Sequence, residues 1–134
     1  VTSDLLIQHF KHPVGIGLPE AATHEVHHRN HSCGDDVRLG VVMEDGVITE
    51  IGAELNGCMM HKASTSILCS KVAGMPIGDV PALIAFVTAL SDSAAPMPET
   101  TDPDFLALAD IRNFPTRRAC VMLSWEALAA SLTD

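Results

Sequence analysis

Tyrosine is absent from this 134-residue chain, tryptophan occurs once and phenylalanine four times. A core cannot rest on stacked rings here, so it must be assembled from Leu, Ile, Val, Ala and Met. With 47% hydrophobic residues over this length, one domain spanning 1–134 with a real core is expected. Long apolar runs are also missing. No stretch of about 18 residues escapes interruption by charge, so no membrane span is expected. The first ten residues, VTSDLLIQHF, lack a basic start and a small-residue cleavage pattern, and do not read as a signal peptide. These features together predict a cytoplasmic chain. Cationic residues are scarce as well, with eight Lys plus Arg against seventeen Asp plus Glu and a formal net charge of −9. Tracking a phosphate backbone needs a basic patch, and none stands out, so nucleic acid is not expected as a partner. The acidity itself predicts solubility and repulsion of polyanions.

Four cysteines, Cys33, Cys58, Cys69 and Cys120, are what the composition does offer. In a chain of this size they permit two disulfides. Without an export signal, reduced thiols available to a metal or to chemistry are the better expectation.

Local patterning places these cysteines. Leu6 and Phe10 behind Ser3 predict a short opening helix over 3–12, ended by His12-Pro13. Residues 14–20, with two Gly and Pro19, read as a loop. From 37 to 55 the apolar residues alternate as two strands around Glu44-Asp45-Gly46. A two-residue Asp-Gly turn would pair Val41 with Glu50 and put the two apolar sets on opposite faces. A three-residue loop pairs Val41 with Thr49 and Leu39 with Ile51 and gives one shared apolar face, so that register is predicted. Continued outward, it sets Cys33 opposite Gly57, beside Cys58. Helices are predicted over 59–73, closed by Gly74, and over about 79–91. A loop with three prolines follows over 91–103, then a short helix over 105–111. Val121, Trp125, Leu128 and Leu132 step by four, three and four, predicting an amphipathic final helix.

Cys33-Gly34-Asp35 therefore stands at the entry to the hairpin, Asn56-Gly57-Cys58 at its exit, and Cys120 at the start of the last helix. Side chains at element ends can converge. Thiolates select zinc or iron–sulfur chemistry, and three thiolates with one carboxylate form a set that tetrahedral zinc accepts. The competing account is packing, because free cysteine is among the most buried residue types. Cys69, eleven residues beyond Cys58 on a helix, is displaced by roughly 16 Å and is read as a packed thiol. His24, His27, His28 and His31 scatter over both faces of an extended segment and read as a partly exposed strand rather than a second metal site. His61 either contacts metal or substrate or is ordinary helix-surface polarity. Arg117 and Arg118, with a helix N-terminus, would favour a thiolate at Cys120; each is also explained as a solvated basic residue. Of Asp35 and Asp36, only the first has the spacing to join the site.

Taken together, RNHSCGDDVRL, GCMMHKASTSI and FPTRRACVMLSWEAL resemble the N-P-x-C-G-D, G-C-x-x-x-x-A-S-x-S and R-x-x-C-x-x-L-x-W segments of the iron–sulfur scaffold family, in that order. LLIQHFKHPVGIG resembles its first helix and loop, so the likeness runs from residue 5 to about 128. It implies an α+β fold, a small three-stranded antiparallel sheet with about five helices packed on it, the third strand lying around Glu25-Val26-His27. It also implies a metal site of Cys33, Asp35, Cys58 and Cys120, with Arg117 on the family's Arg three before the last Cys. His31 stands where the family usually has Pro. Ala119, not His, precedes Cys120, a Leu-Pro-Pro-Val-Lys motif is absent, and extra residues separate Cys58 from Cys120. These features resemble the SufU branch. The resemblance implies a zinc-dependent sulfurtransferase that takes persulfide sulfur from a SufS-type cysteine desulfurase, through Cys33 with Arg117 assisting, and that works upstream of a cluster scaffold. The alternative it leaves is a scaffold for a transient [2Fe–2S] cluster.

Overall fold

The computed structural model of the protein describes residues 4–30 and 34–132. Helix α1 (Asp4–Lys11) is followed by a loop, then strands β1 (His24–Arg29), β2 (Asp36–Glu44) and β3 (Val47–Asn56). Next come α2 (Met59–Val72), α3 (Val80–Ser91), α4 (Pro103–Leu108) and α5 (Arg118–Ser131), with single 3₁₀ turns at Ile77–Asp79, Ala109–Asn113 and Pro115–Arg117. The strands form an antiparallel sheet in the order β1-β2-β3. The α+β class, the three strands and five described α-helices are as the sequence implied. Ser3, the expected N-cap of α1, lies outside the described residues. No described helix is long and apolar enough to cross a membrane.

The hairpin differs from expectation in one instructive way. Its turn is the two-residue Asp45-Gly46, both residues at positive φ (53° and 77°), as a type I′ turn demands. Glu44 faces Val47 and Met43 faces Ile48, but Val42 faces Glu50, which leaves Thr49 as the extra residue of a bulge. Beyond the bulge Leu39 pairs with Ala53 and Val41 with Ile51. The predicted register was therefore two residues off, yet it kept the correct face, because side chains alternate with a period of two. At the strand ends Asp36 stands opposite Asn56, not opposite Glu54 as the predicted register would have it. The bulge also makes Ile48, not Thr49, a core residue: Ile48 is buried and Thr49 exposed.

Val37, Leu39, Val41, Ile51 and Ala53 form the inner face of the sheet, covered by α2 and α5. The opposite face carries the glycine pair Gly40–Gly52, directly across from each other. Over it lies the loop after α1: Leu18 and Pro19 press closely on the space where a Cβ of Gly40 would go, and the Gly17 carbonyl oxygen occupies that space at Gly52. The same loop hydrogen-bonds the free edge of β3, Gly17 N donating to Ala53 O (2.9 Å) and Ala53 N to Gly15 O (2.8 Å), which blocks edge-to-edge association. Gly52→Ala is accordingly expected to destabilise by about 1–3 kcal/mol, the usual range for overpacking, because the obstructing atom is the carbonyl of Gly17, a residue whose N–H is held by Ala53 O. Urea denaturation checks it.

The final helix is not a one-sided stripe. Cys120 through Trp125, then Ala127, Leu128 and Ser131, are buried, and only Ala119 and Glu126 are exposed. It runs through the core, with β1, β2, α2 and α3 packed around it. Ser64 and Thr65 of α2 make this possible, and the adjacent Ser66 serves the loop after α1. Ser64 Oγ donates to Val121 O (2.7 Å) and accepts from Trp125 Nε1 (2.9 Å), Thr65 Oγ1 pairs with Ser124 Oγ, and Ser66 Oγ accepts from Val14 N (2.8 Å). Each satisfies a polar group that burial would otherwise strand.

Ser66 also contacts His9 Nδ1 (2.7 Å), and His9 Nε2 meets Asp104 Oδ1 (2.9 Å), so α1, α2 and α4 share one polar cluster. Lys71 closes it against Asp102 (2.7 Å) and Asp104 (3.1 Å). Burial pushes both carboxyls up. The hydrogen bonds from Lys71, and from His9 to Asp104, outweigh it and hold both below the ordinary range. Carboxyls depressed in the folded state contribute stability above their unfolded pKa, about 3.9, and lose it as the pH falls through the folded value. Acid unfolding should therefore steepen below about pH 4, and Asp104→Asn should flatten that slope, read from thermal midpoints between pH 3 and 7.

Candidate metal centre

Cys58 is the N-cap residue of α2, extended at φ −75° and ψ 170°, and Cys120 sits in the first turn of α5. Two helix N-termini, each with partial positive charge, thus deliver a thiol to one place. Asp35 arrives from the other side, just ahead of β2. Its segment is tied to the end of β1 by Asn30 N donating to Asp35 O (2.8 Å). The Asp35 carboxylate accepts from Cys58 N through Oδ1 (3.2 Å) and lies 3.8 Å from Cys58 Sγ through Oδ2. Ligand atoms of Asp35, Cys58 and Cys120 all fall within 4.8 Å of one another. Thiolates around a tetrahedral zinc stand about 3.8 Å apart, given a bond of about 2.3 Å, so closure on an ion needs movements of about an ångström. Two soft sulfurs and one carboxylate in a partly desolvated recess are a donor set that zinc or iron accepts.

Gly57 makes the close approach possible. A Cβ there would collide with the Asp35 carboxylate. The recess measures ≈ 470 Å³ and is bounded by Gly34, Asp35, Gly57, Cys58, Cys120, Thr116 and Arg117.

Three of the four ligand residues proposed from sequence are therefore brought together. Cys33 lies outside the described residues, as does its expected position opposite Gly57. The two arginines part company. Arg118 donates through Nε to Ser91 Oγ (3.0 Å) and through Nη2 to Thr88 O (2.8 Å), and Arg112 donates to Leu90 O and Ala89 O (both 2.8 Å). Both cap the C-terminal end of α3, where cations are favoured, and Arg118 thereby anchors the start of the helix that carries Cys120. Arg117 instead borders the recess and remains exposed. Asp36 turns away from the ligands, onto the outer face beside Arg38 and Glu54.

Cys69 is the packed thiol that its spacing implied: it is 1% exposed, and burial pushes it up to about 12. His24 and His28 are half-buried on one face of β1 and His27 exposed on the other, and among the described residues they form no metal-binding group. His31 lies outside the described residues. His61 is not helix-surface polarity. It is fully buried, its Nε2 2.9 Å from Asp36 O. Its spacing from Cys58 marks it as a candidate contact but not this role, because its partner is a backbone carbonyl from another element.

A model of the NifU-like N-terminal domain matches residues 2–134. The chain belongs to this family. Its relatives in this NifU-like group include the iron–sulfur cluster assembly scaffold protein IscU of Thermotoga maritima, 30% identical over 104 residues, covering 78% of this chain and 72% of that protein. The zinc-dependent sulfurtransferase SufU of Bacillus subtilis is 27% identical over 127 residues, covering 92% and 84%. Among solved structures, an assembly scaffold protein for the SUF system from Fervidobacterium islandicum AW-1 superposes with a TM-score of 0.83 at 22% identity, covering 98% of this chain and 96% of that one. The N-terminal part of a nitrogen-fixing NifU-like protein from Brucella abortus gives 0.86 at 22%, covering 97% and 90%. These two likenesses concern the fold. The α+β architecture is thus that of the IscU/SufU scaffold family.

Proposed function

We propose that this chain is a zinc-dependent sulfurtransferase that accepts persulfide sulfur from a SufS-type cysteine desulfurase for iron–sulfur cluster assembly in the cytoplasm, acting as one domain over 1–134. The observation that carries this reading is the convergence of Asp35, Cys58 and Cys120 within 4.8 Å beside Arg117. Cys33, placed by sequence two residues before Asp35, completes the ligand set. Zinc held there keeps its thiols deprotonated. Several features favour the SufU reading: alignment to the B. subtilis SufU over 92% of this chain, Ala119 before Cys120, and the ordered α3–α4 segment between Cys58 and Cys120.

The transfer needs no external oxidant or reductant. The Cys33 thiolate attacks the terminal sulfur of the desulfurase's cysteine persulfide, and the partner's S–S bond breaks. A new S–S bond forms on Cys33, and the partner's cysteine leaves as thiolate. Cys33 is the acceptor because it belongs to the β1–β2 connection, whereas Cys58 and Cys120 are built into helix starts. Arg117, exposed at the rim, steadies the anionic sulfur or the docked partner. From Cys33 the sulfur passes to a downstream cluster scaffold. The test is desulfurase turnover: Cys33→Ala should abolish stimulation of the partner, and full stimulation by that variant ends the assignment.

The second reading, a scaffold for a transient [2Fe–2S] cluster, is favoured by the 30% identity to an IscU. Metal analysis with anaerobic reconstitution separates the two. Stoichiometric zinc that iron does not displace supports transfer, and a stable brown cluster supports the scaffold.

A further inference from the structure

His61 is a buried polar side chain that the ligand set does not use. It stands in the first turn of α2, three residues after Cys58, with no exposed surface. Asp36 O can only accept, so the 2.9 Å contact is a bond donated by His61 Nε2–H. Nδ1, equally buried, has no partner among the described residues. A ring with one orphaned nitrogen is a poor choice for packing alone, since leucine fills similar space without stranding a polar atom. What the imidazole adds is the Nε2 bond, and that bond joins two ligand-bearing segments. Asp36 immediately follows Asp35 at the start of β2, and His61 rides on the helix that Cys58 caps. The ring also lies against the join: its Cδ2 is 2.8 Å from where a Cβ of Gly57 would stand, on a point that the Asp35 carboxylate also crowds.

We propose that His61 is a positioning residue of the metal centre, holding the Asp35 arm in register with Cys58 through its bond to the Asp36 carbonyl. The proposal rests on the metal reading of Asp35, Cys58 and Cys120. The matching family segment, G-C-x-x-x-x-A-S, leaves this position unspecified. Among the described residues the group whose donor atoms converge is Asp35, Cys58 and Cys120, without His61. Its effect is transmitted through the backbone to the one oxygen ligand.

The test reads the site rather than turnover: zinc affinity by competition with a chromophoric chelator, and the visible spectrum of the Co²⁺-loaded protein. His61→Leu removes the donor and keeps the volume. His61→Gln places an amide N–H near the Nε2 position, and His61→Asn stops one methylene short. Leu and Asn are expected to weaken zinc binding about 10–100-fold and to alter the Co²⁺ bands, with Gln within about threefold of the parent, the usual range for partners behind metal ligands. A role in packing alone would shift the melting temperature and leave the Co²⁺ spectrum unchanged. Parental affinity and spectrum in the Leu variant, or Gln no better than Asn, overturns the proposal. If the Leu variant fails to fold, the Gln–Asn comparison decides by itself. A parent protein that takes up neither ion overturns the metal reading first, and the proposal with it.

Discussion

Cys58→Ala and Cys120→Ala are each expected to lower zinc affinity by at least roughly 100-fold, whereas Cys69→Ala leaves it unchanged. Structural zinc sites in small domains bind with about 10–16 kcal/mol from four ligands, so losing one thiolate removes a large share of that. The two thiols are also not replaceable by neighbours. Each is set at a helix start beside the recess, and no other cysteine among the described residues joins the converging group. Cys69 serves as the internal control because it is buried among core side chains, with burial holding its thiol protonated. Competition titration on the three variants reads the difference. Zinc binding equal to the parent in Cys120→Ala would remove that residue from the site. Acid should weaken binding to the parent protein in the same assay, since protons compete for the thiolates and a metal displaces them.

Trp125→Ala is expected to cost about 3–5 kcal/mol, the range for emptying a large aromatic site. For a chain of this length that lowers the thermal midpoint by about 10–18 °C. Trp125 is fully buried and is the chain's one tryptophan, so nothing nearby is large enough to fill the space. Its loss also strands Ser64, whose hydroxyl accepts from the indole while donating to Val121 O. Ser64→Ala, which leaves the indole N–H and the Val121 carbonyl without their partner, should cost less, about 1–3 kcal/mol. Both changes loosen α5 against α2, the two helices that present Cys120 and Cys58. Zinc affinity should therefore fall in step with stability in these variants, unlike in Cys69→Ala. Chemical denaturation with and without zinc separates the two effects.

The readable parts of this fold were those set by neighbours in the chain. The alternation over 37–55 identified two strands and their shared face, and Gly74, Pro76 and Gly78 bounded α2 and α3 where the structure ends and begins them. The hairpin register was missed by two residues because a bulge at Thr49 has no strong residue signature. A two-residue turn plus one bulge preserves the same face as the predicted three-residue loop. Val121, Trp125, Leu128 and Leu132 alone predict an amphipathic last helix. Among its remaining positions Met122 and Leu123 are apolar and most others are small, and whether Ser124 or Ser131 is buried depends on what packs opposite.

The ligand candidates were legible for the same local reason. Cys33, Asp35, Cys58 and Cys120 stand at the ends of elements whose boundaries the sequence marks, and their order matches a known pattern. Composition and helix-start position do not distinguish Arg117 from Arg118, although the family pattern points to Arg117. The structure does so by placing the end of α3, with its unpaired carbonyls, within reach of one and not the other. His61 was ambiguous for a parallel reason, since its partner is a main-chain oxygen 25 residues away. What the sequence alone determined is the kind of elements and the chemistry carried at their ends, because periodicity, turn residues and thiol identity act over a few neighbours. What only the tertiary structure decided is which polar groups are buried together, because a hydrogen-bond partner is chosen by packing across the fold.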